Sequence, residues 1–272
     1  MALPKLVYGL PRGNLLRTAQ SITLTDGVLE DGYGLEKLYD SIWADPCRCT
    51  TNDFQFVAEW ATPVLPALAA LLNSNLNVAG ILEGNDDPND WTSPAVTAQA
   101  FGIPAVNGRG FFTSPHLDLS ALTAQLAWRF TVSANARLVT IGELYLGARY
   151  ELEGYFFPGV RFGLRGNTAV NRTHQNLPLT YELSPGGRSL EGSLIVSGTQ
   201  ITQLEKLVDR ARYRARQFPL VPRSDNNDAW MVRIATDDLA STPRNSDTDE
   251  IALPVEADSR GFPWVEPDDE DS

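Results

Sequence analysis

The chain has 272 residues, 43% of them hydrophobic and 21% charged, which is typical of folded globular protein and favours two domains of ordinary size. The formal net charge of -12 repels a phosphate backbone, so nucleic acid is not expected as a partner. The apolar run at residues 64–72 is too short to span a bilayer, and residues 1–20 lack the hydrophobic core of a secretory signal, so we expect neither a membrane span nor secretion.

Residues 1–44 predict an extended N-terminal arm. Ile22, Leu24 and Val28 stand among polar residues and glycines, and DGYGLEKLYD supports at most one short helical turn. Because so few apolar positions cannot offset the entropy of ordering about forty residues, we expect the arm to lie on a neighbouring chain.

The two cysteines, Cys47 and Cys49, are separated by one residue. A disulfide between residues so close is strained, and two thiolates do not complete a tetrahedral metal site. Small apolar packing is therefore the expected role, and a site shared between copies of the chain is the alternative.

Residues 45–150 predict an antiparallel β-sandwich. Phe54, Phe56 and Ala58 alternate with less apolar neighbours, which is typical of a strand with one buried face. Further short apolar segments follow, separated by Gly, Pro, Asn and Asp: residues 67–72, 78–83, 108–114, 122–132 and 137–147.

Residues 151–240 predict a smaller α+β domain that follows a boundary near residues 151–154. Alternating residues on either side of SPGGRS indicate a hairpin with its turn at residues 184–189. A helix is expected over residues 199–216, capped by Thr199, with Leu204 and Leu207 on its buried face. A last strand is expected at residues 229–236.

Residues 241–272 form an acidic C-terminal tail. Six acids follow residue 257, and such a segment is normally solvated. Phe262 and Trp264 are unusual in a free tail, so two hypotheses stay open: the aromatic residues dock on a partner chain, or the terminus is loosely ordered.

The common catalytic motifs are absent from the sequence. It contains no G-x-S-x-G elbow, no phosphate-binding G-x-x-x-x-G-K and no dinucleotide fingerprint between a strand and a helix. His116 and His174 are far apart, and neither has a second histidine at metal-ligand spacing. We therefore expect no enzyme activity, no cofactor and no metal centre.

The turn at residues 85–91 is the best candidate ligand site in the sequence. Asp86, Asp87 and Asp90 offer carboxylate oxygens for calcium, and Trp91 offers an aromatic face for a sugar ring. The turn lacks the glycine and closing glutamate of an EF-hand. Asn, Asp and Pro also favour tight turns for conformational reasons alone, which is the alternative interpretation.

Alternating arginines end the predicted helix, among them Arg210 and Arg214. Steps of two place successive side chains about 200° apart around a helix, so they form no single basic stripe. They either complement the helix dipole in solvent or form salt bridges to an adjacent subunit.

Several segments together resemble the galactose-binding, discoidin-type β-sandwich of tailed-bacteriophage structural proteins. They are DFQFVAEW, VLPALAALLNSNLN, VAGILEG, NDW, LAWRFTV and RLVTIGELYLG, in that order. The second half is similar to the partner domain of such proteins, with Ser184, Gly186 and Gly187 in its hairpin and Leu204 and Leu207 in its helix.

This resemblance spans about residues 35–238 and implies a structural subunit of a siphophage-like tail tip or baseplate. Such a subunit is made in the host cytoplasm and resides in the virion. Its expected partners are other tail proteins and copies of itself in a symmetric ring. The alternative is a carbohydrate-binding module that attaches a particle or an enzyme to a cell-surface glycan, and an enzyme of unrecognised type ranks third.

Overall fold

The fold is described from a computed structural model. The structure describes residues 5–42, 45–104, 113–152, 161–172, 178–191, 193–212, 217–222, 224, 228–234, 241–243, 248–252 and 255–257. The chain divides into two compact units. Unit 1 comprises residues 1–153 and 216–231, and unit 2 comprises residues 154–215 and 232–272.

The described strands and the α-helix follow one another along the chain. They are β1 Leu6–Tyr8, β2 Ser21–Asp26, β3 Cys47–Arg48, β4 Phe54–Val64, β5 Leu68–Ser74, β6 Ile81–Asn85, β7 Val96–Ala100, β8 His116–Asp118, β9 Gln125–Val132, β10 Thr140–Gly147, β11 Tyr150–Leu152, β12 Arg161–Arg172, β13 Pro178–Glu191, β14 Ser193–Ser197, α1 Gly198–Arg212, β15 Phe218–Val221, β16 Trp230–Ile234, β17 Ser241–Pro243, β18 Thr248–Ala252 and β19 Val255–Ala257. Two short 3-10 helices, Leu15–Thr18 and Leu35–Leu38, lie in the N-terminal segment.

Unit 1 contains the predicted sandwich. One sheet has five strands in the order β2-β4-β9-β6-β7, and the other has four in the order β3-β10-β5-β8. All their pairings are antiparallel. The alternation in β4 and β9 sends aromatic side chains into a core that both sheets share, among them Phe54, Phe56, Trp128 and Phe130. The predicted fold class, mainly β with antiparallel sheets forming a sandwich and one main helix, is confirmed.

Strand β5 is buried on both of its faces, which explains its continuous apolar sequence. Ala69 and Leu71 pack into the sandwich core. Leu68, Ala70 and Leu72 pack into a second cluster within unit 1, together with Val7, Tyr145, Val221, Ala229 and Met231. A strand covered on both faces loses the hydrophobic alternation of a half-exposed strand.

The N-terminal segment differs from the expected arm because it belongs to unit 1. β1 pairs with β11 and with β15, so Val7 lies opposite both Glu151 and Val221. β2 pairs along β4, and Leu16 and Leu38 are buried in the sandwich core. Fully buried apolar side chains and strand pairing hold this segment on unit 1.

Cys47 and Cys49 are free thiols buried in the sandwich core. Their environment is apolar, which agrees with the packing role expected of them. No third Cys, His, Asp or Glu joins them to form a metal-binding group in the part of the chain that the structure describes.

In unit 2, a long hairpin replaces the predicted turn at residues 184–189. β12 pairs with β13 from Arg161 opposite Glu191 to Arg172 opposite Pro178. β13 therefore continues through the glycines that sequence reasoning placed in a turn. The register shifts on either side of Asn167, opposite this stretch, and glycine in a strand commonly marks such an irregularity.

The helix of unit 2 lies against β14 and β18 of a three-stranded sheet with the order β14-β18-β17. Leu204 and Leu207 are buried, as expected. The cap differs from the prediction: the Gln200 side chain accepts hydrogen bonds from the backbone N–H and the hydroxyl of Ser197. α1 spans Gly198–Arg212, and residues 213–216 of the expected helix lie outside the described residues.

Candidate ligand-binding face

The outer face of the five-stranded sheet carries a row of polar side chains that lie close together. Residues that alternate with the buried side chains of β4, β6 and β9 point away from the core. The register places Glu83 opposite Arg129 and Gln55 opposite Thr131. We call Gln55, Glu83, Trp91, Arg129 and Thr131 the polar face.

An ion pair forms the centre of the polar face. Arg129 donates to Glu83 Oε2 through Nε at 3.0 Å and Nη2 at 2.5 Å. Only 18% of the Arg129 side chain and 15% of the Glu83 side chain are exposed, so solvent screens the pair less than an ordinary surface ion pair. The pair fixes the plane of the guanidinium group.

The same guanidinium group lies against Trp91. Its central carbon is 4.5 Å from the centroid of the indole ring, within the range of a cation–π interaction. The indole N–H also donates to the Pro88 carbonyl oxygen at 2.7 Å. Trp91 is thus held at one face and one edge while part of the side chain stays accessible.

A second pair of polar side chains extends the polar face along β9. Gln55 Nε2 donates to the Thr131 hydroxyl at 2.9 Å. The Thr25 hydroxyl donates to Gln55 Oε1 at 2.9 Å. These contacts orient the amide, and the lone pairs of its oxygen and of the two hydroxyls that remain free can bind polar groups of a ligand.

The three aspartates of the predicted ligand turn stabilise backbone in the structure. Asp86 accepts from Leu126 N–H at 3.2 Å, and Asp87 accepts from Asn89 N–H at 2.9 Å. Asp90 accepts from the hydroxyl and the N–H of Thr92, and these bonds hold the pKa of the Asp90 carboxyl below its usual value. Within the described ranges, no three His, Cys, Asp or Glu side chains are grouped to hold a metal ion.

The remaining sequence-predicted site residues are spread over the chain. Arg210 is exposed on α1. Arg214, Phe262 and Trp264 lie outside the described residues, as does His174. His116 is mostly buried, and its burial, with Arg149 nearby, lowers the pKa of the imidazole. The structure therefore brings Trp91 into a cluster within unit 1, whereas Arg210 belongs to unit 2.

Sequence reasoning identified Trp91 but missed its partners. The available signal was a charged residue in the middle of an alternating strand: Arg129 stands between Trp128 and Phe130, and Glu83 stands between Leu82 and Gly84. Such residues face away from a sandwich core. That they meet each other depends on the register of β6 with β9, which the sequence does not state.

Two solved structures are similar to part of the chain. One is SpGH29, with a TM-score of 0.36 and 14% identity over 51% of this chain and 28% of that one. The other is chitosan-binding module 1 of a chitosanase/glucanase from Paenibacillus sp. IK-5, with a TM-score of 0.34 and 12% identity over 50% of this chain and 98% of the module.

No protein-family model matches the chain, and no curated protein matches it. Of the helices in the described ranges, none combines the length and the apolar character that crossing a membrane requires.

Proposed function

We propose that unit 1 is a non-catalytic module that binds a carbohydrate on its polar face. The observation that carries the proposal is the placement of Arg129, which contacts both Trp91 and Glu83. A sugar ring has apolar C–H faces and a rim of hydroxyls. It is therefore complementary to a fixed aromatic ring beside oriented amide, carboxylate and guanidinium groups.

The polar face is prearranged for such a ligand. The Glu83 ion pair, the Pro88 carbonyl and the Gln55 contacts fix the side chains before a ligand arrives. Fixing rotamers in advance reduces the entropy lost on binding. The ligand class proposed is a cell-surface glycan.

The first test is binding of the full chain to a glycan array, followed by calorimetric titration of the glycans that bind. Trp91→Ala is expected to weaken binding about five- to thirtyfold, because loss of one stacked ring removes on the order of 1–2 kcal/mol. Leu138→Ala is the matched control, since Leu138 is 53% exposed and is not part of the polar face. Equal affinity of wild type and Trp91→Ala for every glycan bound would contradict the proposal.

A second variant tests the geometry of the ion pair. Arg129→Lys keeps the positive charge but loses the planar fork that contacts Glu83 and covers Trp91. Weaker glycan binding with an unchanged far-ultraviolet circular dichroism spectrum is the expected result. Undiminished affinity would show that charge alone is needed and that the planar contact with Trp91 plays no part.

We propose a second function, that of a structural subunit in a phage tail tip, on a separate observation in unit 2. Strand β12 has 12 residues, lies at the end of its sheet and pairs with β13 alone among the described strands. None of the described strands pairs with its other edge, and the backbone groups of such an edge can pair with a strand from another chain. Copies of this chain in a ring, or other tail proteins, are the partners that the family resemblance suggests.

The part that the acidic tail is expected to play in this second function is tested in particles. Deletion of residues 259–272 begins beyond the last described strand, which ends at Ala257. We expect this variant to keep its circular dichroism spectrum but to be missing from purified particles. Normal incorporation would contradict a role of the acidic tail in assembly. A deletion of residues 1–30 is not a usable control, because it removes the buried strand β1.

A further inference from the structure

A buried polar contact fastens the N-terminal segment of unit 1 to strand β10. The side chain of Asn14 donates to the Leu144 carbonyl oxygen at 2.8 Å. Its oxygen accepts from the N–H groups of Leu16 at 3.2 Å and Leu146 at 3.3 Å. Asn14 therefore ties the 3-10 helix Leu15–Thr18 to β10.

Glu143 lies beneath this contact and is only 1% exposed. Its Oε1 atom is 3.4 Å from the Asn14 amide nitrogen, at the long limit of a hydrogen bond. Its Oε2 atom is buried without a hydrogen-bond partner among the described residues. An ionised carboxylate buried in this way loses its hydration, and the one long hydrogen bond to Oε1 does not compensate for that loss.

Three ionisable groups face Glu143 from the elements packed around it. Arg17 comes from the 3-10 helix, Asp40 from the turn after the helix Leu35–Leu38, and Tyr145 from β10 itself. Arg17 does not neutralise the carboxyl by a direct bond: its Nη2 donates to the Ser41 hydroxyl at 3.0 Å, and its Nε is buried without a partner in the described part of the chain.

The balance of these effects favours a protonated Glu143. Burial raises the pKa of its carboxyl from 4.5 to about 8, and the charge of Asp40 acts in the same direction. The hydrogen bond from Asn14 and the charge of Arg17 act against burial and are outweighed.

We propose that residues 14–18 form a proton-sensitive latch on β10, which the buried contact between Asn14 and neutral Glu143 holds closed in acid and which loosens when Glu143 ionises. When the segment lifts, water reaches the carboxyl, which then ionises as in an exposed side chain. Opening is thus coupled to release of one proton. This property is independent of the glycan and assembly functions, since it concerns how the segment is attached to unit 1.

The direction and size of the effect follow from linkage. A group whose pKa is higher in the closed state keeps its proton there while the open state has lost it. Opening therefore becomes more favourable between pH 4.5 and about 8 and then levels off. One linked proton gives roughly a tenfold increase in the opening equilibrium per pH unit, and at most about a thousandfold between pH 5 and pH 8.

Amide hydrogen exchange of the full chain from pH 5 to pH 8.5 tests the latch. Rates for peptides that cover residues 14–18 are divided by the intrinsic rates at each pH. The wild type is expected to lose protection roughly tenfold per unit below pH 8 and to level off above it. Glu143→Gln keeps the amide contact without a titratable group and should show no such slope.

Asp40→Asn is the matched control, because burial also raises the pKa of the Asp40 carboxyl. We expect Asp40→Asn to keep most of the slope of the wild type. A slope that disappears in Asp40→Asn and persists in Glu143→Gln would overturn the assignment to Glu143. Constant protection in the wild type from pH 5 to pH 8 would overturn the latch itself, whether or not the variants fold. Protection that increases with pH would do the same, since it would mean that Arg17 pairs with the ionised carboxyl.

Discussion

Replacing Phe130 with alanine is expected to lower the free energy of unfolding of unit 1 by about 3–5 kcal/mol. Phe130 is completely buried at the centre of the sandwich core. Its ring centroid lies 6.3 Å from that of Phe54, 5.9 Å from that of Phe56 and 6.0 Å from that of Phe101. Truncation removes three aromatic contacts and leaves a cavity that strands of a closed sandwich cannot collapse to fill.

Urea unfolding followed by tryptophan fluorescence measures the change, since Trp128 lies two residues before Phe130 on β9 and is itself buried. Leu138→Ala serves as the control, and its exposed side chain should change stability by less than about 0.5 kcal/mol. A loss below about 1 kcal/mol in Phe130→Ala would mean that the aromatic cluster does not hold the two sheets together.

The sandwich could be predicted from sequence because its central strands keep one face buried. In β4, Phe54 and Phe56 point into the core while Gln55 points outward, and β9 shows the same alternation. Strand β5 lacks alternation because both of its faces are covered, but its length and apolar content still indicated a core element. In each case, the pattern reflects contacts made within one short segment.

The strand pairings that could not be predicted from the sequence depend on contacts between distant segments of the chain. Strand β1 has three residues, and its partners in β11 and β15 lie about 145 and 214 positions further along the chain. No local pattern distinguishes such a segment from a free arm. The predicted turn at SPGGRS was wrong for a different reason. Pro and Gly are common turn residues, but here they lie within the paired strand β13.

Of the polar face, only Trp91 could be predicted from the sequence. Trp91 is an aromatic residue in a polar turn, whereas Arg129 and Glu83 are single charged residues within two separate strands. Their contact with Trp91 depends on the register that pairs β6 with β9 and on the path of the turn that follows β6. Glu143 was missed for a related reason, because its burial arises from the N-terminal segment that packs over β10.

Replacing Leu207 with alanine is expected to destabilise unit 2 by about 2–5 kcal/mol. Leu207 is 1% exposed on α1, and α1 lies against β14 and β18. Among the described residues of unit 2, α1 is the one helix, so its apolar side chains at helical spacing are expected to provide much of the buried surface. Hydrogen exchange of the α1 amides in denaturant measures the change in the full chain.

Lys206→Ala is the matched control for this measurement. Lys206 is the preceding residue of the same helix and is exposed, and alanine favours helix, so its replacement should alter stability by less than about 0.5 kcal/mol. Loss of protection throughout α1 in Leu207→Ala, with little change in Lys206→Ala, is the expected pair of results. A change below about 0.5 kcal/mol in both variants would mean that the buried face of α1 contributes little to the stability of unit 2. Its strand pairing, from the β12–β13 hairpin to the β14-β18-β17 sheet, would then have to hold the unit together without the helix.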